Sequence, residues 1–321
     1  MSCIKRDPRV IVPPMPGFDS GVHLLGDKCL VVSTDPCIGV PETWFGWLLI
    51  HYAASDVALF GAKPEYCTLN LLGPPSTKPE TFQKIMDQAC NAAEELEIAV
   101  VTGHTGTYKS LSTLIGVCTA YGRTSKNRLI TPGNAKPKDL ILCVKPLGLE
   151  VAVNFALIYE TLAEKIFGAE RTAVLKRLVT MQSCVKEALL LAATGGVHAM
   201  HDATEGGLMA ALNEIAEASN VGFRVEFEKI PFAKEAYTLK DWFKLSESQM
   251  LSMSSTGTLL ASVNAKAKEM IEEALHRNGF EAHFIGEFTR EKRRILVKKG
   301  VETFFPEKAD DPYERILSGT V

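Results

Sequence analysis

Asp19 lies in a glycine-bounded turn, GFDSG, Asp35 closes the apolar run KCLVVST, Asp56 interrupts the apolar stretch HYAASDVALFG, and Asp202 opens HDATEGGL. Carboxylates delivered by separate strands and loops are what a magnesium-phosphate centre requires, because Mg²⁺ takes hard oxygen ligands and shares them with phosphate. Asp19 and Asp35 taken singly also read as turn formers. Asp56 is harder to dismiss, since an acid inside an apolar helical pattern carries a desolvation cost and needs a reason.

The richest stretch is Val197 to Ala216, VHAMHDATEGGLMAALNEIA. A short apolar segment ends at His201-Asp202, turns through Thr204-Glu205-Gly206-Gly207 and enters a helix patterned by Leu208, Leu212, Ile215 and Ala216. Adjacent glycines let the backbone approach another group closely, and a helix start presents N–H groups to an anion. Two readings stand side by side: an anion site, or a helix start whose orphan N–H groups are capped by acidic side chains.

Other apparent motifs fail on chemistry. In GHTGTYKS, Gly103 to Ser110, Tyr108 stands where a P-loop needs glycine before the lysine, and Leu111 to Tyr121 reads as a strand where a helix is required. No G-x-S-x-G elbow and no H-E-x-x-H pair occurs. His198, His201 and Asp202 mimic a metal pair but lack a nearby third ligand of matching type, which disfavours zinc.

The elements that must position these residues are legible in outline. Lys28 to Thr34 reads as a buried strand delivering Asp35 at its end, and Trp44 to Leu59 as a helix stopped by Gly61 and Pro64. Pro79 to Leu96 is amphipathic, with Phe82, Ile85, Met86, Ala89, Ala93 and Leu96 on one face. A strand from Ile98 to Thr102 runs into Gly103-His104-Thr105-Gly106, and Leu111 to Tyr121 is a second strand. TPGNAKPKD, Thr131 to Asp139, interrupts the pattern and is the best domain boundary. Beyond it come the strand Leu140 to Val144 and helices from Glu150 to Phe167 and Thr172 to Ala193. A helix from Ala265 to Asn278, the strand Ala282 to Phe288 and a loosely packed polar tail from Lys308 complete the outline.

At 321 residues two domains are expected, divided as 1–135 and 136–321. A balance of 35 basic against 38 acidic residues argues against a dedicated nucleic-acid surface. The eight cysteines show no C-x-x-C and read as buried hydrophobes in a reducing compartment. No signal-peptide core and no run near about 18 apolar residues is present, so the expectation is a cytoplasmic protein with no membrane partner.

Read in order, GFDSGV, VVSTD, HYAASDVALFGAKP, VVTGHTG, HDATEGGL, NEIAEASNVG, SSTGTLLASV and FIGEF resemble the AIR synthetase-related (PurM-like) superfamily. That superfamily includes the synthetase itself, thiamine-monophosphate kinase, selenophosphate synthetase and the hydrogenase maturation protein HypE, and HDATEGGL with NEIAEASNVG and SxGTLL is most similar to HypE. The resemblance implies an N-terminal α/β domain that dimerises through its strands and an α+β C-terminal domain, with ATP in a cleft shaped by both. It implies Mg²⁺ or phosphate-side roles for Asp19, Asp35 and Asp56, and a phosphate loop at Gly103 and Thr105. Asp202, Thr204, Glu205 and Gly206 would line the acceptor side, with Gly207 beside Thr204 and Gly206 among the cofactor-binding residues and Asp202 or Glu205 as base.

Three departures shape the functional expectation. Phe18 stands where relatives often carry a second acid. His104 stands where HypE and thiamine-monophosphate kinase carry an acid; it is a poor Mg²⁺ ligand, and three readings remain: phosphate contact, proton carrier or structural packing. The chain closes ERILSGTV, with no cysteine after Cys184, whereas HypE proteins end in the cysteine whose carbamoylated thiol they dehydrate. Selenophosphate synthesis is disfavoured because Cys3 with Lys5 is too early and isolated to be a catalytic pair. The expectation is an ATP- and Mg²⁺-dependent homodimer acting on an oxygen of a small or protein-borne acceptor. The alternatives are a thiamine-monophosphate-kinase-like phosphotransferase and a non-catalytic nucleotide-binding scaffold in a maturation complex.

Overall fold

The computed structural model describes residues 7–319, so Cys3 and Lys5 lie outside the described residues. The chain divides into two compact units, Met1–Leu129 and Ile130–Val321. Both are mixed α/β structures built on one sheet each, which meets the expected fold class.

The first unit runs β1 (Val10–Val12), β2 (Ser20–Leu25), β3 (Lys28–Ile38), α1 (Phe45–Leu59), β4 (Lys63–Gly73), α2 (Pro79–Glu95), β5 (Ala99–Thr107) and β6 (Ile115–Ser125). Its sheet has the order β1-β2-β3-β6-β4-β5, and β4 and β5 form the parallel pair that the α2 crossover allows. α1 is buried on every side except Tyr52, because it packs against β3 and β6 and under α2. The crossing with α2 needs Gly46, where a Cβ would stand 2.1 Å from the Ile85 carbonyl oxygen.

Two strands outrun the sequence expectation. β3 does not stop at Thr34 but continues through Asp35 and Pro36 to Ile38. Its β2 partner ends at the Ser20–Ser33 pair, so proline, which has no N–H, sits where one side of the strand has lost its neighbour. β5 likewise continues through Gly103-His104-Thr105-Gly106 instead of turning there, because β4 remains in register as far as Gly73–Thr107. β6 begins four residues later than read, at Ile115.

The second unit opens with β7 (Leu140–Val144), α3 (Leu149–Ile158), α4 (Glu160–Phe167), α5 (Ala169–Leu175) and α6 (Val185–Thr194). The two long helices expected here are therefore four shorter ones, broken where Tyr159 leaves helical geometry and by a 3₁₀ segment at Leu178–Gln182. Then follow β8 (Val197–Ala203), α7 (Gly207–Ser219), β9 (Gly222–Glu226), α8 (Lys234–Trp242) and α9 (Glu247–Leu251). The unit closes with β10 (Ser255–Val263), α10 (Lys268–Arg277), β11 (Ala282–Thr289), β12 (Arg294–Lys298), β13 (Val301–Phe304) and α11 (Tyr313–Leu317). The seven-stranded sheet has the order β13-β12-β9-β11-β7-β10-β8, and α7 lays Leu208, Leu212 and Ile215 into a core with Phe223, Leu260, Ile285 and Phe288.

The tail is not loose. Ile316 is fully buried, the Tyr159 hydroxyl donates to the Leu317 carbonyl, Asn154 Nδ2 donates to the Tyr313 hydroxyl, and Arg315 donates to the Phe243 carbonyl. A polar sequence packs here because its polar groups find partners on other elements. Among the described residues no helix is long and apolar enough to cross a membrane.

Candidate active site

In the first unit the structure brings Asp35 and Asp56 together. Strand periodicity puts Ser33 and Asp35 on the face of β3 that packs against α1, and α1 presents Asp56 to the same place. The Ser33 hydroxyl lies 3.0 Å from Asp35 Oδ2 and 2.8 Å from Asp56 Oδ2. It carries one proton, so two carboxylates are held to a hydroxyl that can donate to only one of them at a time. Asp56 is 7 % exposed. Directly across the β2/β3 ladder from Ser33, the Ser20 hydroxyl is buried without a hydrogen-bond partner. Asp19 precedes it on the exposed approach to β2. Two carboxylates on one hydroxyl beside an orphaned hydroxyl form an all-oxygen donor set that fits a hard divalent cation.

Gly103, His104 and Thr105 are not brought to that cluster. Ladder register runs Asp35–Cys118–Leu69–Gly103, which places β5 three strand spacings, roughly 14 Å, from Asp35. Thr105 is paired with buried Leu71 and so shares the helix-covered face with Asp35 and Asp56. There it lines a cavity of about 560 Å³ with Thr77, Phe82 and Met86 at the start of α2. His104, paired with exposed Asn70, points to the opposite face, and its Nε2 lies 2.8 Å from the Tyr108 hydroxyl.

In the second unit Asp202, 5 % exposed, is the penultimate residue of β8, and the Thr204 hydroxyl donates to its Oδ2. His201 ties strand to helix: Nδ1 lies 2.8 Å from the Asp202 carbonyl oxygen and Nε2 lies 3.0 Å from Glu214 Oε2 on α7. His198 projects to the other face, with Nδ1 2.7 Å from Asp139 Oδ2, so the two histidines do not converge on one ion. Glu205 is exposed at the tip of the turn. Gly206 (φ +76°) and Gly207 (φ +56°) are both left-handed, and a Cβ on Gly207 would stand 2.4 Å from the Met253 carbonyl oxygen.

Neither Asp202 nor Glu205 caps the Gly206 N–H. It donates to Asp311 Oδ2 at 2.9 Å, from the tail expected to be loose. Asp311 also accepts from Ser254 N at 3.3 Å and Tyr313 N at 2.9 Å. Ser254 in turn donates its hydroxyl to Glu150 Oε2 at 2.8 Å, and Thr256 N donates there at 2.7 Å. Burial pushes Glu150 up to about 7 against those two stabilising bonds, and burial likewise raises Asp311.

Sequence reasoning passed over Ser20, Ser33, Glu150, Ser254 and Asp311. Two carried usable signals: Ser33 stands two residues before Asp35 on a strand, hence on its face, and Glu150 is an acid in the apolar run LEVAVNFAL, the pattern that singled out Asp56.

Comparison with known proteins agrees with this architecture. The family model for AIR synthase related protein, N-terminal domain, matches residues 17–124, and that for the C-terminal domain matches residues 136–299. A putative hydrogenase expression/formation protein of Methanocaldococcus jannaschii is 27% identical over 286 residues, 87% of this chain and 82% of the relative. A carbamoyl dehydratase HypE of Rhizobium leguminosarum bv. viciae is 27% identical over 280 residues, 84% of this chain and 76% of the relative. A crystal structure of hydrogenase maturation protein HypE in complex with ATP superposes with a TM-score of 0.74 at 20% identity, covering 91% of this chain and 88% of that one.

Proposed function

The chain belongs to the AIR synthase related protein family, and from that premise we propose a cytoplasmic, homodimeric, Mg²⁺-dependent enzyme that uses ATP to activate or phosphorylate an oxygen of a small or protein-borne acceptor. The observation that carries this reading is the pair Asp35 and Asp56 held on Ser33 beside the orphaned Ser20 hydroxyl. These residues, with Asp19, would hold Mg²⁺, which when bound neutralises phosphate charge. The ATP in the crystallised HypE supports the choice of nucleotide.

The chain's own groups divide the remaining work. Thr105 offers a hydroxyl to phosphate on the helix-covered face, at a cavity large enough for a ligand. Thr204 fixes one oxygen of Asp202, so that carboxylate, or Glu205, takes the proton from the acceptor. Phosphate placed on an amide or carbonyl oxygen makes that oxygen a good leaving group, and catalysis consists of positioning and charge neutralisation. His104 is assigned no phosphate contact, because it projects from the face opposite Asp35 and Thr105.

The homodimer reading rests on the sheet face away from α1 and α2. Ile38 is 50% exposed and Tyr66 38% exposed, and Leu72, Val117 and Tyr121 are partly open beside them. A second copy covers such a face, with a sedimentation measurement as its check. The function is tested by titrating ATP with Mg²⁺ and then measuring ADP with candidate acceptors. Inorganic phosphate beside a dehydrated product marks carbonyl-oxygen activation, and a phosphorylated acceptor marks a kinase. Nucleotide binding without turnover alongside a purified partner would mark a scaffold instead, and no Mg²⁺-dependent binding would overturn the reading.

A further inference from the structure

Three backbone N–H groups from widely separated parts of the second unit converge on one carboxylate. Gly206 sits at the start of α7, Ser254 lies just before β10, and Tyr313 begins α11, and all three donate to Asp311. Gly206 has no side chain of its own to cap the helix, and its left-handed backbone directs the N–H outward to the tail. Only three residues lie between this anchored amide and Asp202, and the near end of the same turn is held by the Thr204–Asp202 bond. The turn that carries Asp202, Thr204 and Glu205 is thus fixed at one end by β8 and at the other by Asp311.

The segment that delivers Asp311 is itself strapped down. Ser252 donates to the Asp310 carbonyl, Asn154 donates to the Tyr313 hydroxyl, and Ile316 is fully buried. This strap lies beyond residue 299, where the family match ends. Glu150, Tyr313 and Glu314 lie near enough to couple electrostatically to Asp311, and the three convergent amides stabilise its carboxylate.

We infer that Asp311 is a positioning residue, whose carboxylate holds the Asp202–Gly207 turn in the geometry that presents Asp202 and Glu205 to the acceptor. The role assigned to those two carboxylates rests on the function proposed above; the anchoring itself does not. Asp311 acts through the Gly206 amide, and its absence frees the turn without removing any group from it.

The test uses the full chain and two readouts that need no nucleotide. In Asp311→Ala, hydrogen exchange at the amides of residues 204–209 is expected to rise about tenfold or more, with α1 unchanged as the internal control. Sodium formate, against sodium chloride at equal ionic strength, is expected to restore protection by placing a carboxylate among the three vacated amides. Tyr313→Phe, which loses the Asn154 bond but keeps the Tyr313 N–H, is expected to leave exchange at 204–209 as in the wild type. Should Asp311→Ala fail to fold, Asp311→Asn keeps an acceptor oxygen without the charge and is expected to show a smaller rise.

Unchanged exchange in the Asp311 variants overturns the inference, as does a rise that Tyr313→Phe reproduces to the same extent and that formate does not reverse. If the chain turns over ATP, kcat falls in Asp311→Ala while nucleotide affinity holds, and formate restores kcat. If it does not, the exchange and formate results still decide the anchoring.

Discussion

Asp56 and Glu150 are the same problem solved in two ways. Each is the single acid of a helix that is almost wholly buried, and each meets a serine hydroxyl at 2.8 Å. Each serine also reaches a second carboxylate: Ser33 through the same hydroxyl to Asp35, Ser254 through its backbone N–H to Asp311. In the second unit the amides of Thr256, Gly206 and Tyr313 complete the pair. In the first, two carboxylates are held to one hydroxyl and a neighbouring hydroxyl is orphaned. A buried acid answered by amides is architecture, whereas a pair of acids beside an orphaned hydroxyl is a place for a cation.

The largest effect that bears on this contrast is expected from Asp56→Asn. Losing a cation ligand should weaken Mg²⁺-dependent ATP binding about a hundredfold or more, on the order of 3 kcal/mol, while the fold persists. Calorimetric titration measures it, and an unchanged isotherm would erase the distinction between the two acids. Gly207→Ala probes the second unit's turn: a Cβ 2.4 Å from the Met253 carbonyl oxygen, on a left-handed backbone, should cost about 2–4 kcal/mol in denaturant unfolding.

The pH dependence comes next. Burial raises Glu150 from its ordinary 4.5 to about 7, so the folded chain binds this proton more tightly than the unfolded one. The associated stability is complete below about pH 4.5 and is lost as pH rises through about 7, amounting to about 3 kcal/mol. Raised Asp311 acts in the same sense. Glu150→Gln should flatten that part of the unfolding-versus-pH curve, and a slope unchanged by the substitution would place its origin elsewhere. The smallest effect belongs to Ser20→Ala. Removing an unpartnered buried hydroxyl should change metal-free stability by less than about 1 kcal/mol, yet raise the Mg²⁺ concentration needed for nucleotide binding; a variant with wild-type Mg²⁺ dependence would remove Ser20 from the donor set.

Much of this was legible in the chain. Asp56 stood out because a carboxylate in an apolar helix pattern demands a partner, and the glycine pair after Asp202 announced a close approach that Met253 supplies. The ends of elements were less legible. β3 and β5 run on through Pro36 and Gly103-Gly106, past local breakers, because the neighbouring strands β6 and β4 stay in register with them and decide where the ladder stops. Asp311 gave no local sign of the turn it anchors, since its donors Gly206 and Ser254 lie 105 and 57 residues away.

The sequence by itself determined which residue types were present for carboxylate and phosphate chemistry, the two-part mixed architecture and the family, because periodicity, turn residues and ordered motifs are properties of short windows. Only the tertiary structure decided which carboxylates share a serine, which face Thr105 and His104 take, and which acid fills the glycine turn. Those choices depend on strand register and on donors brought from remote segments, and no short window of sequence contains either.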